Sequence, residues 1–236
     1  MVDADLEIRT LTAAGEMATI VNVFQQVWGS VTPIVGVELL RAISYAGGYV
    51  AGAFDSGNII GASFGFLARH RGAEALHSHV TGILPGVQHS GVGRAMKNHQ
   101  RMWAAEREIP WITWTFDPLV RRNAWFNIEV LHASIAEYLV DFYGEMTDSI
   151  NDRDESDRLV VAWPTDERVQ RPAPPQGATR REIATPDDIV ALRRTDPAAA
   201  GQWRQTVRRQ FSELFDAGGE VTAFTREGAY IVHTPT

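Results

Sequence analysis

The chain has 236 residues, enough for one sizeable domain or one and a half with a buried core. Its composition, 44% hydrophobic and 22% charged, is that of a globular protein, and a formal net charge of −7 argues against a general nucleic-acid surface, which needs a basic excess. With no cysteine there is neither a disulfide framework nor a thiolate nucleophile, and no window holds the roughly 20 apolar residues of a membrane-spanning helix.

The opening MVDADLEIRT is acidic and has no apolar run, so no signal peptide is expected and the cytoplasm is the expected location. Residues 6–12 alternate as an edge strand. Residues 15–29 repeat apolar side chains at helical spacing, with Met17, Ile20, Val21, Phe24, Val27 and Trp28 in one stripe. A shorter helix over 36–48 is stopped by its glycines. Residues 49–70 read as a hairpin turning at Asp55-Ser56-Gly57-Asn58, and 75–84 as a further strand. A helix over 91–106 puts Val92, Ala95, Met96, His99, Met102 and Trp103 on one face. WITWTF (111–116) has the content of a buried strand. Asp117 and Pro118 are the expected N-cap and first position of a helix that carries Ala124, Ile128 and Leu131 inward. Residues 133–143 and 158–163 read as two closing strands.

PTDERVQRPAPPQGATRR (164–181) is rich in proline and charge and reads as a connector. Beyond it a short helix has Thr185 as its expected N-cap. A longer helix over 197–216 turns Ala200, Trp203, Val207, Phe211 and Leu214 inward, and EVTAF and AYIVH make a terminal hairpin. The expected organisation is a domain over 1–165, a connector over 166–181, and an α-α-β-β extension over 182–236 packing on the core. Hairpin and crossover connections are interspersed, so the fold class is α/β (α+β) with a mixed sheet.

One stretch carries chemistry: LHSHVTGILPGVQHSGVGRAMKNHQ, residues 76–100. A strand ends, glycine-bearing residues turn, and a helix begins at once. Helix N-termini present unpaired N–H groups and the positive end of the helix dipole, which suit an anion. Gly91 and Gly93 let the backbone approach that anion closely, and Arg94 adds a cation. The ligand this implies is a phosphate or pyrophosphate. A Walker loop is excluded, because Val92-Gly93 stands where Lys-Ser/Thr is needed. A Rossmann fingerprint is excluded, because Met96 stands where its third glycine is needed.

Pro85-x-x-Gln88-x-x-Gly91-x-Gly93-Arg94 instead resembles the acetyl-CoA-binding motif, Gln/Arg-x-x-Gly-x-Gly/Ala, of the GNAT superfamily of N-acetyltransferases. The resemblance covers roughly residues 5–163 and includes the order of elements on both sides. DPLVRRNAWFNIEVLHA (117–133) is similar to the superfamily's fourth helix, and the WRxxxRRxxF helix resembles the tail of a bacterial subfamily with a C-terminal extension. The resemblance implies a mostly antiparallel sheet with helices on both faces, and acetyl-CoA or another short acyl-CoA as co-substrate. It implies that Gln88 and the amides of His89, Ser90, Gly91, Val92, Gly93 and Arg94 hold the CoA pyrophosphate. It further implies that backbone groups near Thr81 and Ile83 pair with pantetheine, that amides near Ile83 polarise the thioester carbonyl, and that Asn123 reaches the arm from the next helix.

His77 and His79, two apart on a strand, point to one face. Acetyl transfer to an amine removes a proton from an ammonium, and imidazole suits that work. The resemblance places His77 where many members carry Glu, and arylalkylamine members carry a similar His-x-His pair. Two histidines on a strand also satisfy each other as core polar groups, and both readings stand at this point. Superfamily members often use a tyrosine of the fourth helix to protonate the leaving thiolate. This chain has Asn127-Ile128 there, with Tyr143 the nearest substitute. No third ligand stands at metal spacing, so no metal is expected.

The resemblance therefore implies an N-acyltransferase acting by direct attack in a ternary complex, on a small-molecule amine in preference to a protein. The alternative is an acyl-CoA-binding or regulatory module that kept the fold and lost transfer. A third reading, an interaction protein using 182–236 as an arm, rests on that extension alone. No nucleic-acid or membrane partner is expected, and a homodimer is compatible with the sequence.

Overall fold

The computed structural model describes residues 6–30, 32–88, 90–144, 154–169, 171, 173–174 and 176–235. The chain forms two compact units, residues 1–113 and 114–236.

In the first unit, strand β1 (Leu6–Thr10) leads into helix α1 (Ala14–Trp28). Glu16 reaches back across the first turn of α1, its carboxylate accepting from the amides of Thr12 and Ala13 at 3.2 and 3.1 Å. That satisfies orphan donors and puts negative charge where the helix dipole favours it. The expected stripe holds: Met17, Ile20, Val21 and Phe24 are buried, with Val27 and Trp28 packed against the same core. Helix α2 (Val37–Tyr45) adds Leu40. Strands β2 (Tyr49–Asp55) and β3 (Asn58–His70) form the expected hairpin. Ser56 and Gly57, at φ 48° and 78°, make a two-residue turn whose twist suits the strands. Strand β4 (Ala73–Ile83), helix α3 (Val92–Ala105) and the Trp111–Thr113 part of strand β5 (Trp111–Phe116) complete the unit. The strands run in the order β1-β2-β3-β4-β5. Pairing is antiparallel except between β4 and β5, where the α3 crossover makes it parallel.

Helix α3 departs from its expected stripe. Val92, Met96 and Trp103 are buried, but Met102 is 59% exposed, and Lys97 and Gln100 are buried instead. The inner side of this helix is therefore partly polar.

In the second unit, Asp117 is not a helix N-cap. Helix α4 (Arg121–Trp125) starts later, with Val120 at the cap position, while Asp117 Oδ1 accepts from the Leu119 amide at 2.9 Å in a turn. The helix widens into a π turn over Phe126–Val130, and Ala124, Ile128 and Leu131 are buried as expected. Strands β6 (Ser134–Leu139) and β7 (Arg158–Pro164) pair antiparallel, in the order β5-β7-β6.

The C-terminal segment carries one more strand than its sequence suggests. Strand β8 (Thr179–Ala184) falls at the end of the expected connector. Of its residues only Ile183 is buried, so it offers no alternating pattern to read. Helices α5 (Ile189–Thr195) and α6 (Pro197–Asp216) and strands β9 (Glu220–Phe224) and β10 (Ala229–Thr234) follow, and the small sheet runs β8-β10-β9. Asp188, not Thr185, caps α5, accepting from the Ala191 amide at 3.0 Å. Thr185 is buried and donates to the Gly228 carbonyl at 2.6 Å. In α6 the expected Ala200, Val207, Phe211 and Leu214 are buried, Trp203 is half-buried, and Arg204 is fully buried. Arg204 meets the Asp117 carboxylate through both terminal nitrogens, and Arg193 of α5 binds the same carboxylate. Burial alone would push the Asp117 pKa up, but the two guanidiniums outweigh it and hold the carboxyl far below the usual range.

Candidate functional site

The site grows from an irregularity in β4. Its ladder with β3 runs regularly from His70↔Ala73 to Gly65↔Ser78, then slips, so that Phe64 pairs with Val80 and His79 is the extra residue of a bulge. The parallel ladder with β5 covers Ala75–His77 against Trp111–Thr113 and stops at His77↔Thr113. From Ser78 to Ile83, β4 runs beyond the end of that ladder.

His77 is half-buried, with Nδ1 3.1 Å from Thr113 Oγ1. His79 is more exposed. The two rings are 6.1 Å apart and both lie against Phe66, at 5.2 and 5.6 Å, so they share a face despite the bulge. Burial, then the charges of His79 and Lys97, depress the His77 pKa to about 4, and partial burial lowers that of His79. Both rings are held towards the neutral form. In the neutral ring one nitrogen donates and the other accepts. If His77 Nδ1–H donates to Thr113 Oγ1, then Nε2 is the proton acceptor.

The loop after β4 is tightly closed. Leu84 N donates to Ile60 O at 2.9 Å, Ser90 Oγ donates to Val87 O at 2.6 Å, and Gln88 Nε2 donates to Ile83 O at 3.3 Å. Gly91, at φ 94°, is the N-cap of α3 in a left-handed conformation that glycine adopts without strain. The first α3 bond in the turn runs from the Ala95 amide to Gly91 O, so by helix geometry the amides of Val92, Gly93 and Arg94 have no acceptor within the helix. Among the described residues a Cβ at Gly93 would meet only Ile83 Cγ1, at 4.0 Å, so they leave the space over this turn open. His89 lies outside the described residues. Thr81 faces β3, its hydroxyl 2.8 Å from Ser63 Oγ.

Lys97, missed in the sequence, sits beneath this strand. Its Nζ donates to Ser78 Oγ at 2.8 Å and to Gln100 Oε1 at 3.2 Å, and burial pushes its pKa down to about 7. The only sequence signal was a lysine one position from the apolar Met96. Periodicity discounts such a residue as solvated.

Asn123 and Tyr143 belong to the second unit. Asn123 is half-buried in the first turn of α4. The Tyr143 hydroxyl is 3.1 Å from Thr115 Oγ1 on β5, and the Arg158 guanidinium lies 5.3 Å from its ring centroid. Asn127 is buried, accepting from Trp114 Nε1 at 3.1 Å, so its role there is structural. Among the described residues no group of three or more His, Cys, Asp or Glu is placed to hold a metal, and no helix is long and apolar enough to cross a membrane.

The sequence matches no protein-family model and no curated protein. The structure matches solved acetyltransferases at low identity. One is the ribosomal-protein-S18-alanine N-acetyltransferase from Escherichia coli, at 12% identity over 71% of this chain and 96% of that one, TM-score 0.53. A second is Arabidopsis thaliana Naa50 in complex with the bisubstrate analogue CoA-Ac-MVNAL, at 15% identity over 67% and 98%, TM-score 0.52. A third is a GNAT family acetyltransferase from Elizabethkingia anophelis with acetyl-CoA bound, at 12% identity over 69% and 99%, TM-score 0.52. The chain has the GNAT acetyltransferase fold.

Proposed function

We propose that this chain is an acyl-CoA-dependent N-acyltransferase that moves acetyl, or another short acyl group, from CoA to a small-molecule amine by direct attack in a ternary complex. One observation carries the reading: the open N-terminal turn of α3, with Gly91 left-handed and Gly93 uncovered, follows directly on a strand whose ladder with β5 has already ended. The turn suits a pyrophosphate, and the β4 backbone beyond His77, outside the parallel ladder, suits an extended arm with amides to pair. The amides of Ser90 to Arg94 take the phosphates, Arg94 adds charge, and Gln88 closes the loop by bonding Ile83 O.

In this reading His77 receives the proton released when the acceptor nitrogen attacks. Its low pKa makes it a relay that passes the proton on, because the ring stays neutral at pH 7. Since the ladder closes at His77, the reacting end lies at the His79 bulge, and the amides that polarise the thioester carbonyl come from there in place of Ile83.

The test is calorimetric titration with acetyl-CoA, beside Gly93→Glu. The wild type is expected to bind in the micromolar range and the variant to lose binding while keeping its melting temperature. A wild type that binds no acetyl-CoA reduces the loop to a turn and sinks the reading. The second reading, an acyl-CoA-binding module without transfer, is favoured by Asn127, which offers no acid at the fourth helix. Binding without thiol release across a panel of amines would select it.

A further inference from the structure

The proposed reaction leaves its acceptor no narrower than an amine, and the side chains around His77 narrow it. Phe66 lies directly opposite His77 in the β3–β4 ladder. The slip beyond Gly65↔Ser78 brings the extra residue, His79, to the same ring, so that His77 stands 5.2 Å and His79 5.6 Å from Phe66. The two imidazoles are 6.1 Å apart. The three rings therefore form a triangle whose sides all fall within the range of aromatic contacts. Phe64, buried in the core 5.8 Å from Phe24, backs His79 at 5.4 Å.

Phe66 is 38% exposed, and the planes of the imidazoles are tilted 34° and 45° from its own, so neither lies flat over it. An exposed π face beside the proton acceptor is a platform on which a planar ring stacks. Charge narrows the acceptor further. The charges that act on His77 are those of His79 and Lys97, both positive when present, and they disfavour an ammonium arriving at this face. Burial and those charges hold the His77 pKa at about 4. An alkylammonium ionises near about 10, so passing its proton to His77 is uphill by roughly six units. A nitrogen bonded straight to an aromatic ring shares its lone pair with that ring and arrives uncharged at pH 7. His77 then has only to take the proton that becomes acidic as the nitrogen attacks.

We propose that the acceptor is an arylamine, its ring stacked on Phe66 and its nitrogen turned to His77. The nitrogen–carbon bond forms, the carbon–sulfur bond breaks, and its electron pair leaves on sulfur. With Nδ1–H donated to Thr113 Oγ1, the proton of the attacking nitrogen passes to His77 Nε2 and on to solvent. The thiolate takes a proton from solvent. Phe66 selects the acceptor by binding its ring and takes no part in the bond changes.

This inference rests on the acyl-CoA reading, and its test separates the two. Acetyl-CoA affinity is read by calorimetry. Thiol release from acetyl-CoA is then followed at pH 7 with aniline, benzylamine and cyclohexylamine, for wild type and Phe66→Leu. Benzylamine keeps the ring but carries an ammonium, which a π face also attracts, and cyclohexylamine has no π system. Aniline is expected to give a kcat/KM about tenfold above either of the others. Phe66→Leu is expected to raise the KM for aniline by about three- to tenfold, the worth of one aromatic contact, with kcat and acetyl-CoA affinity little changed. A wild type that binds acetyl-CoA but prefers benzylamine or cyclohexylamine, or turns over none of the three, overturns the proposal and leaves acyl-CoA binding standing. Aniline turnover with an unmoved KM in Phe66→Leu overturns it as well. A wild type that binds no acetyl-CoA overturns both readings. The comparison of acceptors is made in the wild type, so it decides even if Phe66→Leu fails to fold.

Discussion

Arg204 of α6 clasps Asp117 at the end of β5 end-on, its two terminal nitrogens 2.9 and 3.0 Å from the two carboxylate oxygens. Asp154 shares Arg204, at 2.7 Å, and Arg193 joins both carboxylates. Removing one member of a buried pair strands the other charge in a poor dielectric, which costs about 3–5 kcal/mol. Arg204→Met and Asp117→Asn are each expected to lower the unfolding free energy read from urea titration by that amount. A loss below about 1 kcal/mol would mean that the pair is solvated in solution. The folded-state pKa of Asp117 lies below its ordinary value of 3.8. Its contribution is therefore complete above about pH 4 and is lost as pH falls below that. Asp117→Asn should flatten the acid limb of the stability curve.

His77 imposes a separate pH dependence. The folded protein keeps the ring neutral down to about 4, whereas the unfolded chain takes up a proton near 6.5. Unfolding therefore binds a proton in that window, and stability rises as pH climbs from about 4 to 6.5. The difference in urea midpoint between pH 5 and pH 7.5 should shrink in His77→Phe. An identical difference in the variant would place the titration elsewhere.

Two glycines should behave in opposite ways. A Cβ at Gly65 would sit 2.6 Å from the His77 carbonyl oxygen and 3.2 Å from Ser78 Cα, so Gly65→Ala must push β3 off β4 at the bulge. Overpacking of this kind costs about 1–3 kcal/mol. Thermal denaturation should show that loss. Gly93→Ala has open space and should melt within a degree or two of wild type, and a large loss there would mean that the α3 turn is more crowded than described.

At Gly91 the backbone decides. With φ at 94°, any residue with a Cβ is strained, by roughly 1–2 kcal/mol. Gly91→Ala is thus expected to lower both the melting temperature and acetyl-CoA affinity, whereas Gly93→Glu lowers affinity alone. If Gly91→Ala melts like the wild type, the left-handed cap is not adopted in solution.

Much of this was legible in the sequence, because it is written in periodicities and turn residues. The 111–116 strand, the 197–216 helix and the Ser56-Gly57 hairpin follow from alternation, helical spacing and left-handed turn chemistry. The fold itself was legible through the Gln88 to Arg94 motif. What escaped was charge that folds inward. Arg204 stands beside Trp203, and Lys97 beside Met96. A pattern that scores apolarity assigns the burial to the tryptophan and treats both cations as surface. Asp117 looked like a cap because Asp-Pro usually is one; its true partners lie 76 and 87 residues away. Strand β8 gave no signal because five of its six residues are not buried.

A purely greasy helix can slide along a sheet by a turn and find nearly equivalent packing. Helix α3 lacks that freedom. A one-turn slip would carry the Lys97 ammonium away from Ser78, so the seating of the helix is keyed to a single height. The amides of its first turn are thereby held at one fixed elevation above the end of β4.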